Sequence, residues 1–191
     1  LGRALYHAIQ FPDAIKNLQA AADKDHASAL ATLANWFSLP RAGLTRNDEK
    51  AFKLRLRAAE LGHSRAMQAV AENYWQGIGT QKDRGKAISW NRKAFEINLK
   101  RAVAGDTQAM RSVSSYYEYP LGKAIDEQKA FEWFRRAADL GDPDAMESLF
   151  NAYFFGEGVP EDKSKGRFWR QRRFERLNEL AASGDPIALY D

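Results

Sequence analysis

Apolar residues along this chain recur at the spacing of an α-helix. In one stretch after another they stand three or four positions apart, as at Ala66, Val70 and Tyr74. At about 100° per residue such positions fall on one stripe of a helix, and polar residues occupy the opposite side. No segment sustains the alternation of apolar and polar residues that is typical of a strand. The pattern therefore predicts an all-α protein.

The helical segments form an internal repeat, which shows as similar phrases along the chain. Four of them read AAELGHSRAM, AVAGDTQAM, AADLGDPDAM and AASGDPIAL, and a weaker one, AADKDHASAL, precedes them. In each phrase an alanine precedes the final apolar residue, at positions 29, 66, 109, 145 and 188. The steps are 37, 43, 36 and 43 residues, so short units alternate with units that are longer by about two helical turns.

Each unit is predicted to hold two helices joined by a turn. Four segments with the pattern Asn/Asp-x-x-Lys-Ala/Gly start with a residue type that caps helix N-termini well. These caps are Asn47, Asp83, Asp126 and Asp162. Gly-x-Gly precedes two of them, at residues 77–79 and 156–158, where glycine allows the positive φ that ends a helix. The other two units carry SLPRAGLT and EYPLGKAI instead.

Composition narrows the class of protein further. The 191 residues are 45% apolar and 28% charged, which suits one ordinary folded domain, and no run of 18 apolar residues is present to span a membrane. Cysteine is absent, which excludes disulfides, thiolate metal sites and a thiol nucleophile. The net charge is +4, but residues 163–176 hold seven basic residues and one acid. The basic character therefore belongs to one helix.

The combination of these motifs resembles the Sel-1-like repeat, a helical repeat related to the tetratricopeptide repeat. The last complete unit matches the family pattern at Ala145, Leu149, Tyr153, Gly156, Gly158, Val159, Asp162, Trp169 and Gly184. The second unit matches at Ala66, Val70, Tyr74, Gly77, Gly79, Asp83, Ala87, Trp90 and Ala94. The resemblance covers nearly the whole chain. It implies a right-handed α-solenoid of helix-turn-helix repeats, and a role as a scaffold that brings other proteins together, often in bacteria.

The chain departs from the family pattern at the glycine that follows the repeat's leucine. The residues that replace it are Ala34, Ala71, Ser114 and Phe150. Because a glycine there lets two helices approach closely, we expect the contact to be altered, most of all at Phe150.

We expect residues 1–191 to form a single repeat domain. It would contain a partial repeat at 1–25, repeats at 26–62, 63–106, 107–142 and 143–185, and a partial repeat at 186–191. Both ends cut through a repeat, where a solenoid needs polar caps, so a fragment of a longer protein is expected, with self-association possible at the open ends. We expect a soluble domain in a bacterium, and the sequence is compatible with either the cytoplasm or the periplasm.

Candidate catalytic groups do not converge in the sequence. The three histidines, His7, His26 and His63, lack the spacing of metal ligands. The segment GIGTQKDRGK does not match the G-x-x-x-x-G-K-S/T pattern of a phosphate-binding loop. Ser114 and Ser115 have no histidine partner in the pattern. We therefore predict a protein that is not an enzyme and holds neither cofactor nor metal.

The polar side of the first helix in each unit is the predicted partner surface. By analogy with the family, this helix lines a concave groove for a protein or peptide. Aromatic residues in polar surroundings are typical anchors for such a partner. The residues expected to line the groove are Gln68, Glu72, Trp75, Arg111, Ser115, Tyr119, Glu147, Asn151 and Phe155.

An alternative binding surface is the basic helix at 163–176. Its arginines at three-residue spacing form a slowly drifting stripe that could bind an anionic polymer, either nucleic acid or an envelope glycan. They are Arg167, Arg170, Arg173 and Arg176. A solvated face paired with nearby glutamates explains the same residues. A protein or peptide partner is therefore the main prediction, and nucleic acid is not expected.

Overall fold

Every regular element that the structure describes is an α-helix. The computed structural model describes residues 13–39, 45–119, 121 and 124–183, and no strand occurs in these ranges. The helices are α1 (residues 13–22), α2 (Ala27–Ser38), α3 (Asp48–Glu60), α4 (Ser64–Gln76), α5 (Arg84–Val103), α6 (Thr107–Glu118), α7 (Glu127–Asp139), α8 (Pro143–Phe155) and α9 (Lys163–Ala182). The prediction of an all-α helical repeat fold is confirmed.

The chain separates into two compact units, Leu1–Ala94 and Phe95–Asp191, with the boundary inside α5. In the first unit α2 packs on α3, and α3 packs on α4. In the second unit α6 packs on α7, α7 on α8, and α8 on α9. Contacts between consecutive helices are typical of repeat proteins, whose units bury their apolar faces against their neighbours.

The helix lengths follow the alternation of short and long repeats in the sequence. The first helices of the units, α2, α4, α6 and α8, have 12 or 13 residues. The second helices have 13 residues in α3 and α7, but 20 in α5 and α9. The extra residues of the long units therefore extend the second helix.

The predicted caps close the starts of the second helices. The backbone N–H of Lys50 donates to the side-chain oxygen of Asn47 over 2.9 Å, and that of Lys129 donates to Asp126 over 3.0 Å. Asp83 and Asp162 accept equivalent bonds. Each cap satisfies an amide that lacks a partner inside its helix, so the Asn/Asp positions of the repeat serve to start helices.

Small and branched residues at the repeat positions form the core of the second unit. The Leu149 side chain is fully buried, and Val113 and Ala145 are equally inaccessible. The buried indole of Trp169 joins the same cluster. These residues occupy the positions that define the repeat in the sequence, which explains why the pattern predicts the core correctly.

A close contact between the two helices of each repeat takes a different form in the last repeat, which contains α8 and α9. In the unit of α6 and α7, Ser114 is buried and its Oγ donates to the carbonyl oxygen of Ala130 over 2.6 Å. In the unit of α8 and α9 the larger Phe150 stands at the position of Ser114, and the facing residue is Gly166. A Cβ atom on Gly166 would lie 3.3 Å from the Phe150 carbonyl oxygen and 3.2 Å from the Phe154 Cβ. The lack of a Cβ at Gly166 thus allows α9 to approach the backbone of α8 closely.

The second glycine of each Gly-x-Gly turn lies against an earlier helix. Gly79 sits over the start of α3, where an added Cβ would lie 2.1 Å from the carbonyl oxygen of Asp48. Gly158 sits over the start of α7, where an added Cβ would lie 3.1 Å from the Cβ of Glu127. The turn therefore joins one repeat to the repeat before it.

Candidate functional site

The predicted groove residues of the first unit lie along α4. Glu72 is exposed, and its carboxylate accepts a hydrogen bond from the side-chain amide of Gln76. Trp75 is partly buried, and the guanidinium carbon of Arg84 stands 5.3 Å from the centre of its ring. Gln68 is partly buried. Trp75 is thus covered in part by a cation of its own chain.

Two predicted groove residues of the second unit take part in ion pairs within the chain. The Arg111 guanidinium pairs with Asp142 at 3.3 Å and with Asp144 at 2.5 Å. The Glu147 carboxylate pairs with Arg173 of α9 at 3.5 Å. These pairs connect α6 to the start of α8, and α8 to α9. Arg111 and Glu147 therefore stabilise helix packing.

The most exposed aromatic side chains of the predicted groove lie at the ends of α6 and α8. Tyr119 is 78% exposed and Phe155 is 62% exposed. The Phe155 ring packs edge-on against Phe154, with the ring centres 5.1 Å apart. Ser115 is exposed on α6.

A cleft of about 420 Å³ opens beside α7 in the second unit, and we call it the α7 cleft. It brings together two of the predicted groove residues, Tyr119 and Asn151. The described residues that line it are Glu118, Tyr119, Ile125, Glu127, Ala130, Phe131, Phe134, Ser148, Asn151, Ala152, Glu157 and Gly158. They come from the end of α6, from α7, from α8 and from the glycine turn that follows α8.

The α7 cleft combines apolar side chains with carboxylates. Ile125, Phe131 and Phe134 are among its apolar lining residues, and the Phe131 ring packs edge-on against Tyr153 with the ring centres 5.4 Å apart. Its charged lining residues, among those described, are three glutamates, and none is basic. Such a mixture of apolar and polar lining is typical of sites that bind a ligand of defined orientation.

Glu118 is the carboxylate most affected by this setting. Partial burial raises the pKa of Glu118 above its usual value, and the negative charge of Glu157 raises it further. Gly158 contacts Glu127 at the start of α7, and this contact fixes the turn that carries Glu157. The repeat turn therefore places a carboxylate where it repels another.

We expect Glu118→Gln to stabilise the protein. Above the raised pKa the carboxylate is charged in both folded and unfolded states, and only the folded state bears the cost, so the cost disappears as pH falls through that pKa. Glutamine keeps the shape without the charge, so the free energy of unfolding at about pH 7 should rise by about 0.5 kcal/mol. Urea denaturation at about pH 7 and about pH 4 measures the change, which should shrink in acid. A variant less stable than wild type at neutral pH would contradict this account of Glu118.

The arginines of the basic helix differ in their surroundings. Arg167 and Arg170 are exposed, whereas Arg173 and Arg176 are partly buried. Arg173 forms the ion pair with Glu147 described above. The Nε of Arg176 donates to the carbonyl oxygen of Gly141 over 3.3 Å. The first two arginines of the stripe are therefore exposed to solvent, and the last two contact other parts of the second unit.

The described part of the chain contains neither a metal-binding cluster of side chains nor a membrane-spanning helix. Over residues 13–39, 45–119, 121 and 124–183, no group of three His, Asp or Glu side chains could hold a metal ion. No helix in these ranges has the length and apolarity to cross a bilayer.

Helix pairs that carry the same caps, turns and buried residues at matching positions define an α-helical repeat protein. The chain belongs to the Sel1 repeat family, whose model matches residues 27–63, 64–98, 107–142 and 143–172. The family resemblance drawn from the sequence is thereby confirmed. Proteins with these repeats are generally scaffolds for protein interactions.

The solved structures similar to the chain include two from bacteria. A Sel1 repeat protein from Oxalobacter formigenes is 26% identical with a TM-score of 0.59, and the match covers 92% of this chain and 64% of that protein. A protective antigen present in uropathogenic Escherichia coli strains, which displays an SLR fold, is 27% identical with a TM-score of 0.57, and the match covers 87% of this chain and 35% of the antigen. This chain therefore spans less than two thirds of the length of either protein. Comparison with curated proteins gives no match.

Sequence reasoning misses most of the α7 cleft. Ile125, Phe131 and Phe134 belong to the second helix of the unit or to the turn before it, whereas the predicted groove consists of residues from the first helices. The one signal in the sequence is the segment EYPLGKAI, which replaces Gly-x-Gly in this unit and contains Glu118, Tyr119 and Ile125. The segment that departs from the repeat pattern therefore predicts the position of the cleft better than the repeat positions do.

Proposed function

We propose that this chain is a non-catalytic scaffold that binds a protein or peptide partner at the α7 cleft. The observation that carries the proposal is Tyr119, a 78% exposed aromatic side chain on the border of a cleft with apolar side chains. An exposed ring beside an apolar depression concentrates binding energy when a partner covers both. The family's general role as an interaction scaffold supports the same conclusion.

The surroundings of the other groove residues support this location. Arg111 and Glu147 already hold ion pairs within the chain, so a partner would have to break these pairs to use them. In contrast, Asn151 has no side-chain hydrogen bond to any described residue, and it lines the cleft. Its amide is therefore available to the backbone of a bound peptide, which carries both donors and acceptors.

Site-specific photo-crosslinking tests the location. We expect a benzoylphenylalanine at position 119 to give discrete crosslinked products in a lysate of the native host. The same group at position 174 should give none, although Phe174 of α9 is 62% exposed and provides a matched aromatic site. Crosslinks from position 174 alone would contradict the proposal and favour a partner on the basic helix.

Tyr119→Ser should weaken binding of the crosslinked partner by at least tenfold, which corresponds to the loss of an aromatic anchor. Phe168→Ser, a change of an aromatic residue that is 52% exposed on α9, is the control and should leave the affinity unchanged. Titration of the purified partner against both variants measures the difference. Equal affinities for wild type and Tyr119→Ser would remove the cleft from the binding surface.

A further inference from the structure

We propose that the partner segment bound in the α7 cleft presents an arginine or lysine next to an apolar residue. This inference rests on the proposed function and adds the chemistry of the partner. It follows from the two kinds of side chain that line the cleft and from the lack of a basic residue among its described lining residues.

The apolar residues of the cleft indicate that the partner contributes an apolar side chain. Phe131 and Phe134 from α7 and Ile125 from the preceding turn meet there, and Ala152 of α8 adds to the surface. A volume of about 420 Å³ lies toward the lower end of the range for sites that bury a compact ligand. A short stretch of peptide with one apolar side chain and one further group would fill it.

The carboxylates of the cleft indicate that the partner contributes a positively charged group. Elsewhere in the second unit, Asp126 pairs with Lys129 and Asp162 pairs with Lys165. Glu118, Glu127 and Glu157 form no ion pair with any described residue, although the whole chain has an excess of basic residues. The charged neighbour that acts on Glu118 is a carboxylate. A cation brought by a partner would replace this repulsion with attraction, and the cleft would reject acidic segments.

Aromatic rings beside the carboxylates favour arginine over lysine. Tyr119 and the α7 phenylalanines line the same cleft as Glu118 and Glu157. A guanidinium stacks on aromatic faces and donates to carboxylates in one plane, whereas an ammonium acts as a strongly hydrated point charge. Among bound sequences we therefore expect arginine to outnumber lysine.

Selection from a phage-displayed library of short random peptides tests this inference. The wild-type chain should enrich peptides with arginine or lysine beside an aliphatic or aromatic residue. Glu118→Gln with Glu157→Gln should abolish that enrichment. The control Glu96→Gln with Glu132→Gln removes the same charge from exposed glutamates of the second unit that do not line the cleft, and it should retain the enrichment.

The Tyr119→Ser variant separates the failure of this inference from the failure of the proposed function. Peptides that depend on Tyr119 but show no preference for basic residues would overturn the inference and leave the cleft as the binding site. Enrichment that is the same with and without Tyr119 would overturn both.

A synthetic peptide of the enriched sequence gives the magnitude. Its affinity, measured by fluorescence polarisation, should fall at least tenfold when its basic residue becomes glutamine, and by a similar factor when salt is raised well above physiological strength. The Glu118→Gln, Glu157→Gln variant should show the same loss toward the unchanged peptide. Unchanged affinity in these measurements would overturn the inference, and thermal melting of the variant confirms that it is folded.

Discussion

Gly79→Ala should lower the free energy of unfolding by about 4 kcal/mol. The backbone at Gly79 has φ of +69°, which strains any residue with a Cβ, and the added Cβ would lie 2.1 Å from the Asp48 carbonyl oxygen and 2.5 Å from its carbonyl carbon. Both atoms belong to the backbone at the start of α3, so no side chain can rotate away. The turn and α3 must move apart to admit one methyl group.

Gly62→Ala separates the close contact from the backbone strain. Gly62 also has positive φ, at +90°, but an added Cβ would meet no atom within 4 Å. Its cost should be limited to the strain, about 1–2 kcal/mol. Denaturant unfolding followed by circular dichroism compares the two variants. Equal losses at Gly79 and Gly62 would show that the turn is not pressed against α3.

Leu149→Ala should destabilise the protein by about 3 kcal/mol. The Leu149 side chain has 0% exposure, and it lies in the core cluster with Val113 and Trp169. Truncation removes buried apolar surface and leaves a cavity that the surrounding helices fill only in part. The midpoint of urea denaturation should fall with little change in its slope.

Leu140→Ala is the matched control for Leu149→Ala. Leu140 follows α7 and is 58% exposed, so its truncation should change the free energy of unfolding by no more than about 0.5 kcal/mol. A loss at Leu140 comparable with that at Leu149 would mean that the exposed leucine is covered in solution, which would point to association between copies of the chain.

Sequence reasoning recovers the helices because local rules specify them. The capping residues Asn47 and Asp126 precede stretches with helical spacing, and each accepts a backbone hydrogen bond in the structure. Buried repeat positions such as Val113 and Leu149 follow from the same spacing. The two 20-residue helices follow from the longer steps of the repeat. The caps and the buried positions depend on residues within one or two helical turns of each other, and the helix lengths depend on the spacing of the repeats.

The candidate site is harder to predict because it depends on contacts distant in sequence. The sequence places Arg111 on the predicted partner surface, but it does not predict the ion pairs of Arg111 with Asp142 and Asp144, which are more than thirty positions away. The hydrogen bond from the Arg176 side chain to the Gly141 carbonyl oxygen likewise joins residues 35 positions apart. Helical periodicity predicts which residues share a face of a helix. It does not predict which other parts of the chain that face contacts.

The close approach of α8 and α9 at Gly166 has a consequence for how repeats can be recombined. A designer who transplants α9 into another unit would set Gly166 against a small residue and open a void. Supplying α8 with a second helix that carries alanine at this position would force a methyl group against the Phe150 carbonyl oxygen. Gly166 and the close approach of α8 and α9 therefore belong together, and the two helices should be grafted as one module.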